Sequence, residues 1–136
     1  MRISSVSLTP ENKSRLVALD RTLFPADSPY PITKGYWWII TDKGQDVGFA
    51  GIKELPDHCA FLCRVGVLKA YSRKGLHRRL IRLRLAKAKQ LGIKTVITYT
   101  VTHNPKSSNN LIKTGFTLYT PEYRYAGAVL YWRKEL

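Results

Sequence analysis

Residues 61–80 read FLCRVGVLKAYSRKGLHRRL. The stretch opens as an apolar run, breaks after Leu68, and resumes as a basic segment with helical spacing. Residues 59–68 (CAFLCRVGVL) have the composition of a strand. Gly66 inside them predicts a bulge or the close approach of another backbone or a ligand. From Leu76 the apolar residues recur at helical intervals. Leu76, Leu80, Leu83 and Leu91 form one stripe, Ile81, Leu85 and Ala88 a second, and Arg78, Arg82 and Lys89 a basic one. Gly92 is placed to cap a helix over Leu76–Leu91. Between strand and helix lies Ser72-Arg73-Lys74-Gly75-Leu76-His77. A strand that turns tightly into a helix N-terminus aims several unpaired amides in one direction, and the positive helix end favours an anion there. Gly75 permits the dihedrals of such a turn. The competing reading is a basic helix start with a solvated face.

Outward from this stretch, residues 2–8 suit a short strand. Thr9-Pro10-Glu11 opens a helix, with Thr9 as N-cap, Pro10 in the first turn and Glu11 at the positive end. Leu16, Leu19 and Leu23 mark its apolar face. FPADSPYPITKG (24–35) holds three prolines and reads as an ordered loop. YWWIITD (36–42) and VGFAGIKEL (47–55) are strands joined by a turn at Lys43-Gly44-Gln45-Asp46, and Pro56-Asp57-His58 is a second turn. TVITYTV (95–101) is a β-branched strand. Asn104 caps a helix that starts at Pro105 and stops at Gly115, and FTLY and AGAVLYWRKEL close the chain as strands. The order β-α-β-β-β-α-β-α-β-β implies a mixed α/β fold, with a mostly antiparallel sheet flanked by helices.

The 136 residues carry 23 Lys and Arg against 9 Asp and Glu, a formal charge of +14. The excess is lopsided: no acidic residue lies between His58 and Pro121, where Arg64, Arg73, Arg79, Arg84, Lys94, Lys113 and others fall. Such a half implies an anionic partner. The opening MRISSVSLTP has no apolar run, and no stretch approaches the roughly 20 apolar residues of a spanning helix, so a soluble cytoplasmic protein with no membrane attachment is expected. Cys59 and Cys63 on one strand sit about 13 Å apart, too far for a disulfide. With His58, His77 and His103 scattered, no metal-ligand spacing appears.

The strand FLCRVGVLKAY, the turn SRKGLH, the helix to Leu91, the strand TVITYTV and the closing HNPKSSNNLIKTGF together resemble the acetyl-CoA-binding core of the GNAT family of N-acetyltransferases. The family turn is Gln/Arg-x-x-Gly-x-Gly/Ala. Its later signature is an Asn after a strand with Gly-Phe eleven and twelve residues on, met here by Asn104, Gly115 and Phe116. The resemblance covers essentially the whole chain and implies a single acetyltransferase domain over residues 1–136. It implies that the amides of Arg73, Lys74, Gly75, Leu76, His77 and Arg78 hold the cofactor's pyrophosphate. The side chains of Arg73, Lys74 or Arg78 then reach its 3′-phosphate. It further implies that the backbone of Val65, Gly66 and Val67 pairs with the pantetheine amides, and that Asn104 lies near the pantetheine arm. Two residues depart from the turn motif. Ser72 replaces Gln/Arg, and His77 replaces Gly/Ala, where an imidazole crowds the phosphates, turns to solvent or donates to them.

Acetyl transfer needs a deprotonated amine and an acid for the leaving thiolate. Many family members carry a tyrosine seven residues after the Asn; here that position is Leu111. The central-strand positions that often bear a carboxylate or histidine fall near Phe61 and Cys63. Glu54 is the substitute base, placed opposite Phe61 if the 56–58 turn closes a hairpin, and Tyr99 on a neighbouring strand is the candidate acid. Residues 24–35, Trp37, Trp38 and the TPEYRYAG segment (120–127) are expected on the acceptor side. The basic half points to a primary amine on an anionic macromolecule or acidic protein: a lysine, a protein N-terminus or an aminoacyl-tRNA. The alternative is a nucleic-acid-binding module that keeps this fold without the chemistry.

Overall fold

Local chemistry sets most of the element boundaries. Thr9 Oγ1 accepts from the Asn12 amide (3.2 Å), and Pro10 occupies the first helical position, so α1 runs over Pro10–Leu23. Lys43 and Gly44 both take positive φ (50° and 78°), the geometry of a two-residue hairpin turn that matches strand twist. The turn is therefore tighter than the expected four residues, and β2 (Tyr36–Asp42) passes directly to β3 (Gln45–Leu55). Asp57 and His58 also take positive φ (63° and 56°) before β4 (Cys59–Val67). The His58 carbonyl then accepts from the Lys94 amide (2.7 Å) at the entry to β5 (Thr95–Val101). With β1 (Arg2–Val6), α2 (Leu76–Gln90), α3 (Pro105–Lys113), β6 (Thr117–Leu118) and β7 (Val129–Glu135), the order is the expected one. A 3-10 turn at Lys69–Tyr71 is added between β4 and α2.

The computed structural model describes residues 1–72 and 75–136. Among these, seven strands form a sheet in the order β1-β2-β3-β4-β5-β7-β6. The β1–β2, β2–β3, β5–β7 and β6–β7 pairs are antiparallel, while β4 pairs with β5 in parallel through Cys59–Phe61 and Thr95–Ile97. A parallel neighbour needs a crossover, and α2 supplies it. No helix among the described residues is long and apolar enough to cross a membrane.

The chain divides into two compact units, Met1–Lys53 with Cys63–Leu76, and Glu54–Leu62 with His77–Leu136. In the first, β2 and β3 are buried on both faces: Trp37, Trp38, Ile39, Ile40, Val47, Phe49 and Ile52 are all under a tenth exposed. Within the β2–β3 pairing the register shifts between Ile40 and Thr41 of β2. Gly66 is required by the space around it. A Cβ there would stand 2.7 Å from Leu23 Cδ1, 3.0 Å from Phe24 Cε2 and 3.2 Å from Phe49 Cε1. The close approach that the sequence implies at Gly66 is thus made by core side chains.

In the second unit, β5 alternates cleanly. Val96, Thr98 and Thr100 are buried, while Tyr99 and Val101 are exposed. The buried hydroxyls are satisfied: Thr98 donates to the Leu62 carbonyl (3.2 Å), and Trp132 Nε1 donates to Thr100 (2.9 Å). Along α2 the buried positions include Leu80, Ile81, Arg84 and Ala88. Fully burying Leu80 or Ile81 contributes about 1.5–3 kcal/mol each. Leu83 and Leu85, expected in the apolar stripes, are only half-buried, and Arg84 takes the inner place. It lies one turn from Leu80, is 2% exposed, and its Nε donates to the Leu80 carbonyl (3.1 Å). The helix ends as expected, with Gly92 at φ 77° and the Ile93 amide reaching back to the Ala88 carbonyl (3.0 Å).

Candidate active site

β4 precedes the turn at which an anion site is expected. The Leu68 amide donates to the Val47 carbonyl (2.8 Å), which ends the strand. The 3-10 turn is then tied down by Tyr71, whose hydroxyl donates to Asp42 (2.6 Å). Asp42 also pairs with the amino terminus of Met1 (3.3 Å). The Tyr71 and N-terminal donors hold the Asp42 carboxyl below its usual value, and the same bond raises the Tyr71 phenol. Ser72, the first departure from the family turn, donates from Oγ to the Lys69 carbonyl (2.9 Å). It therefore closes its own turn. Arg73 and Lys74 lie outside the described residues.

Gly75 takes φ +68°, the left-handed region where a side chain costs roughly 1–2 kcal/mol. A Cβ there would meet nothing within 4 Å, so backbone conformation sets the requirement. Leu76, His77 and Arg78 then form the first turn of α2, whose amides precede the helix's own i→i−4 ladder. His77, the second departure, is half-buried. Burial first, and then the charges of Arg84 and Lys106, hold its imidazole below the ordinary value, which keeps the ring neutral at pH 7.

Asn104 follows β5. Its Oδ1 accepts from the Ser107 amide (3.2 Å), so it caps α3 as the sequence implies. That role uses the acceptor side of the amide, while Nδ2 donates to no described residue. Leu111, on the same helix, is buried. Val65 is half-buried, and Gly66 and Val67 are buried within β4.

The acid/base candidates fall in the second unit. Tyr99 is 39% exposed. Its ring lies 5.8 Å from Phe61 and 6.3 Å from Tyr125. Tyr125 in turn packs edge-on against Tyr131 at 4.9 Å and shares a 2.9 Å hydroxyl–hydroxyl bond with Tyr119. Burial first, then the Tyr119 bond, drives the Tyr125 phenol well above its usual value, so it stays protonated. Glu54 is exposed near the end of β3. Cys63 is a buried free thiol, and burial raises the Cys59 thiol, which disfavours its thiolate.

Three groupings escape a reading of the sequence. The tyrosine cluster joins Phe61, Tyr99, Tyr119, Tyr125 and Tyr131 from four separate segments, and no spacing announces it. Arg84 looks like one more surface cation. Asp20 of α1 is 2% exposed and is bonded by Arg64 Nη1 (2.7 Å), Arg21 Nη2 (3.1 Å) and the Tyr30 amide (3.1 Å). Arg64 also stands over the rings of Phe24 (4.6 Å) and Tyr30 (5.1 Å), so the 24–35 loop is latched to α1 and β4. An arginine inside CAFLCRVGV is the one sequence signal for that latch. Trp37 and Trp38, expected on the acceptor side, are instead core residues at 2% and 8% exposure. The Trp37 ring stacks 6.4 Å from Phe49, and its Nε1 donates to the Lys34 carbonyl (3.2 Å).

A glycine turn into a helix N-terminus after one strand, and a capping Asn after the next parallel strand, are the features on which the resemblance to the acetyltransferase family rests. The model of the acetyltransferase (GNAT) family matches residues 9–116, and the chain belongs to that family. It is an acetyl-CoA-dependent N-acetyltransferase. Solved structures share the fold. The ribosomal-protein-S18-alanine N-acetyltransferase from Escherichia coli is 16% identical, with a TM-score of 0.78 and coverage of 98% of this chain and 94% of that one. A GNAT-family acetyltransferase from Staphylococcus aureus Mu50 is 14% identical, with a TM-score of 0.78 over 98% and 99%. A Bacillus subtilis acetyltransferase in complex with CoA is 16% identical, with a TM-score of 0.77 over 99% and 98%. No curated protein matches the sequence.

Proposed function

We propose that residues 1–136 act in the cytoplasm as a single acetyltransferase domain. It moves the acetyl group of acetyl-CoA directly to a primary amine on an anionic macromolecule or acidic protein, either a protein lysine or N-terminus. The observation that carries this reading is the turn into α2, where Gly75 at φ +68° leads into the first-turn amides at the positive end of a helix. Acetyl-CoA supplies a thioester carbonyl as electrophile and a thiolate as leaving group.

The chain's own residues then have these roles. The amides of Gly75, Leu76, His77 and Arg78 hold the pyrophosphate, together with Arg73 and Lys74. The backbone of Val65, Gly66 and Val67 extends its strand pairing to the pantetheine amides, and Asn104 Nδ2 donates to the same arm. Glu54 takes a proton from the acceptor ammonium through water, and the neutral amine attacks the carbonyl. Tyr99 gives its proton to the departing thiolate, and the proton that the acylated nitrogen sheds returns through solvent to the phenolate. Direct transfer to the amine needs no covalent acetyl-enzyme, and burial raises the Cys59 thiol. Among proteins of this fold, one acts on the alanine of a ribosomal protein, a macromolecular amine of the kind proposed.

The test combines two measurements. Titration calorimetry with acetyl-CoA gives sub-millimolar binding, and failure to bind overturns the reading. Isotope-labelled acetyl-CoA incubated with a cell lysate places label on protein amines, found by mass spectrometry. With the acceptor so identified, Tyr99→Phe and Glu54→Gln each lower kcat by about 10²–10⁴-fold. Acceptor labelling confined to small molecules refutes the macromolecular assignment.

A further inference from the structure

Apart from Arg78, which the cofactor reading already uses, the basic face of α2 is not explained by acetyl transfer. Arg79, Arg82 and Lys89 are exposed, and with Arg78 they fall within an arc of about 100° on a helix of 3.6 residues per turn. The buried residues Leu80, Arg84 and Ala88 occupy the other side. α2 contains no acidic residue, and no ion pair among the described residues involves Arg78, Arg79, Arg82 or Lys89. Two of these cations stand in the first helical turn, where the helix dipole disfavours positive charge by roughly 0.3–1 kcal/mol each. An anion docked on that face relieves both the mutual repulsion and the dipole conflict.

We infer that the exposed face of α2 docks the phosphodiester backbone of a nucleic acid, and that the acceptor amine reaches the enzyme on a nucleic-acid-bound protein. The second clause rests on the acetyltransferase reading; the first does not. The chemistry of the face selects this partner. None of the exposed large apolar residues lies on α2, so the face lacks the buried apolar centre of a protein–protein interface and the aromatic anchors of a membrane-surface helix. Two of its three exposed cations are guanidiniums, whose forked donors suit phosphate oxygens. From Arg79 to Lys89 the stripe spans about 15 Å at 1.5 Å per residue. One strand of a duplex presents about four phosphates over that length, at ~3.4 Å each. Nothing on the face reads base edges, so binding is independent of sequence.

The test uses fluorescence anisotropy with a labelled single-stranded RNA, a labelled DNA duplex and polyglutamate as an acidic competitor. The whole protein binds the nucleic acids with micromolar affinity at low salt, and log K falls linearly with log salt. Arg79→Gln/Arg82→Gln/Lys89→Gln flattens the slope on single-stranded RNA by about 2, at ~0.7 per lost phosphate contact. Acetyl-CoA affinity and Tm of that variant stay at wild-type values, because Arg78 and the turn are left in place. The RNA and DNA arms tell which nucleic acid is preferred. Equal binding by wild type and triple variant, or competition by polyglutamate as strong as by unlabelled RNA, overturns the proposal. Loss of acetyl-CoA binding by the wild type would sink the acetyltransferase reading and leave the nucleic-acid result standing.

Discussion

In the unit of Met1–Lys53 and Cys63–Leu76 the charges close on one another. Arg15 grips Asp46 through two bonds (2.9 and 2.7 Å), Asp42 holds Met1 and Tyr71, and Arg64 and Arg21 converge on buried Asp20. In the unit of Glu54–Leu62 and His77–Leu136, Arg133 pairs with Glu135 (3.4 Å) on the exposed surface. No ion pair among the described residues involves Arg79 or Arg82 of α2. Arginine thus serves two purposes in one small chain. Where it is latched to a buried carboxylate it orders a loop and supports folding. Where it is left unpaired on a helix surface it contributes little to folding and is available to a partner.

The sharpest way to break that comparison is to remove one arginine from each unit. Arg64→Ala leaves Asp20 buried with one guanidinium fewer, and breaking such a pair costs about 3–5 kcal/mol. Urea denaturation reads this as a lower midpoint with an unchanged m-value, whereas Arg82→Ala stays within about 0.5 kcal/mol of wild type. The latch also sets an acid limit. Burial alone would raise the Asp20 carboxyl, but the Tyr30 amide and the guanidiniums of Arg64 and Arg21 outweigh it and hold it below the usual value. A carboxyl lowered on folding stabilises the fold above its unfolded pKa, about 3.9, and loses that contribution as pH falls through the folded value. Denaturation midpoints from pH 6 down to pH 2 fall more steeply for wild type than for Asp20→Asn.

Glycine draws the same contrast on a smaller scale. Gly66 is fixed by space, so Gly66→Ala pushes a methyl into Leu23, Phe24 and Phe49 and destabilises by about 1–3 kcal/mol. Gly75 is fixed by conformation, so Gly75→Ala costs roughly 1–2 kcal/mol. Gly75→Asn, which tolerates positive φ, costs less. Thermal melts rank the four proteins, and an alanine at Gly66 that melts like wild type removes the packing argument.

The order of elements and most of their bounds were legible because caps, turn residues and β-branched runs are local. Thr9, Lys43-Gly44, Gly92 and Asn104 each act on neighbours within a few residues. The start of α2 and the positive φ of Gly75 were legible for the same reason, since both are set by neighbouring residues. What stayed hidden is long-range. Arg64 and Asp20 are 44 positions apart, and Tyr99 meets Tyr125 only because β5 and β7 pair. Trp37 and Trp38 are expected on the acceptor side, but a strand buried on both faces claims them for the core. Arg84 shows that helical period alone does not tell an inner cation from an outer one.

His77 sits between the two uses of charge, and it carries the smallest predicted effect. Its ring is neutral in the free protein because burial, Arg84 and Lys106 all oppose its proton. A pyrophosphate at the α2 N-terminus adds negative charge beside the ring and raises its pKa, so cofactor binding takes up a proton. Binding therefore tightens as pH falls from 8 toward 6, by less than about tenfold, since one pKa unit corresponds to ~1.4 kcal/mol. Calorimetry in buffers of different ionisation enthalpy measures the uptake directly. His77→Gly restores the small residue of the family turn and supplies the baseline, because the cofactor's own phosphate still titrates there. A wild-type pH slope equal to that of the glycine variant means the imidazole stays outside the anion site. Tighter binding by the variant at pH 8 means the neutral ring obstructs the turn that its protonated form assists.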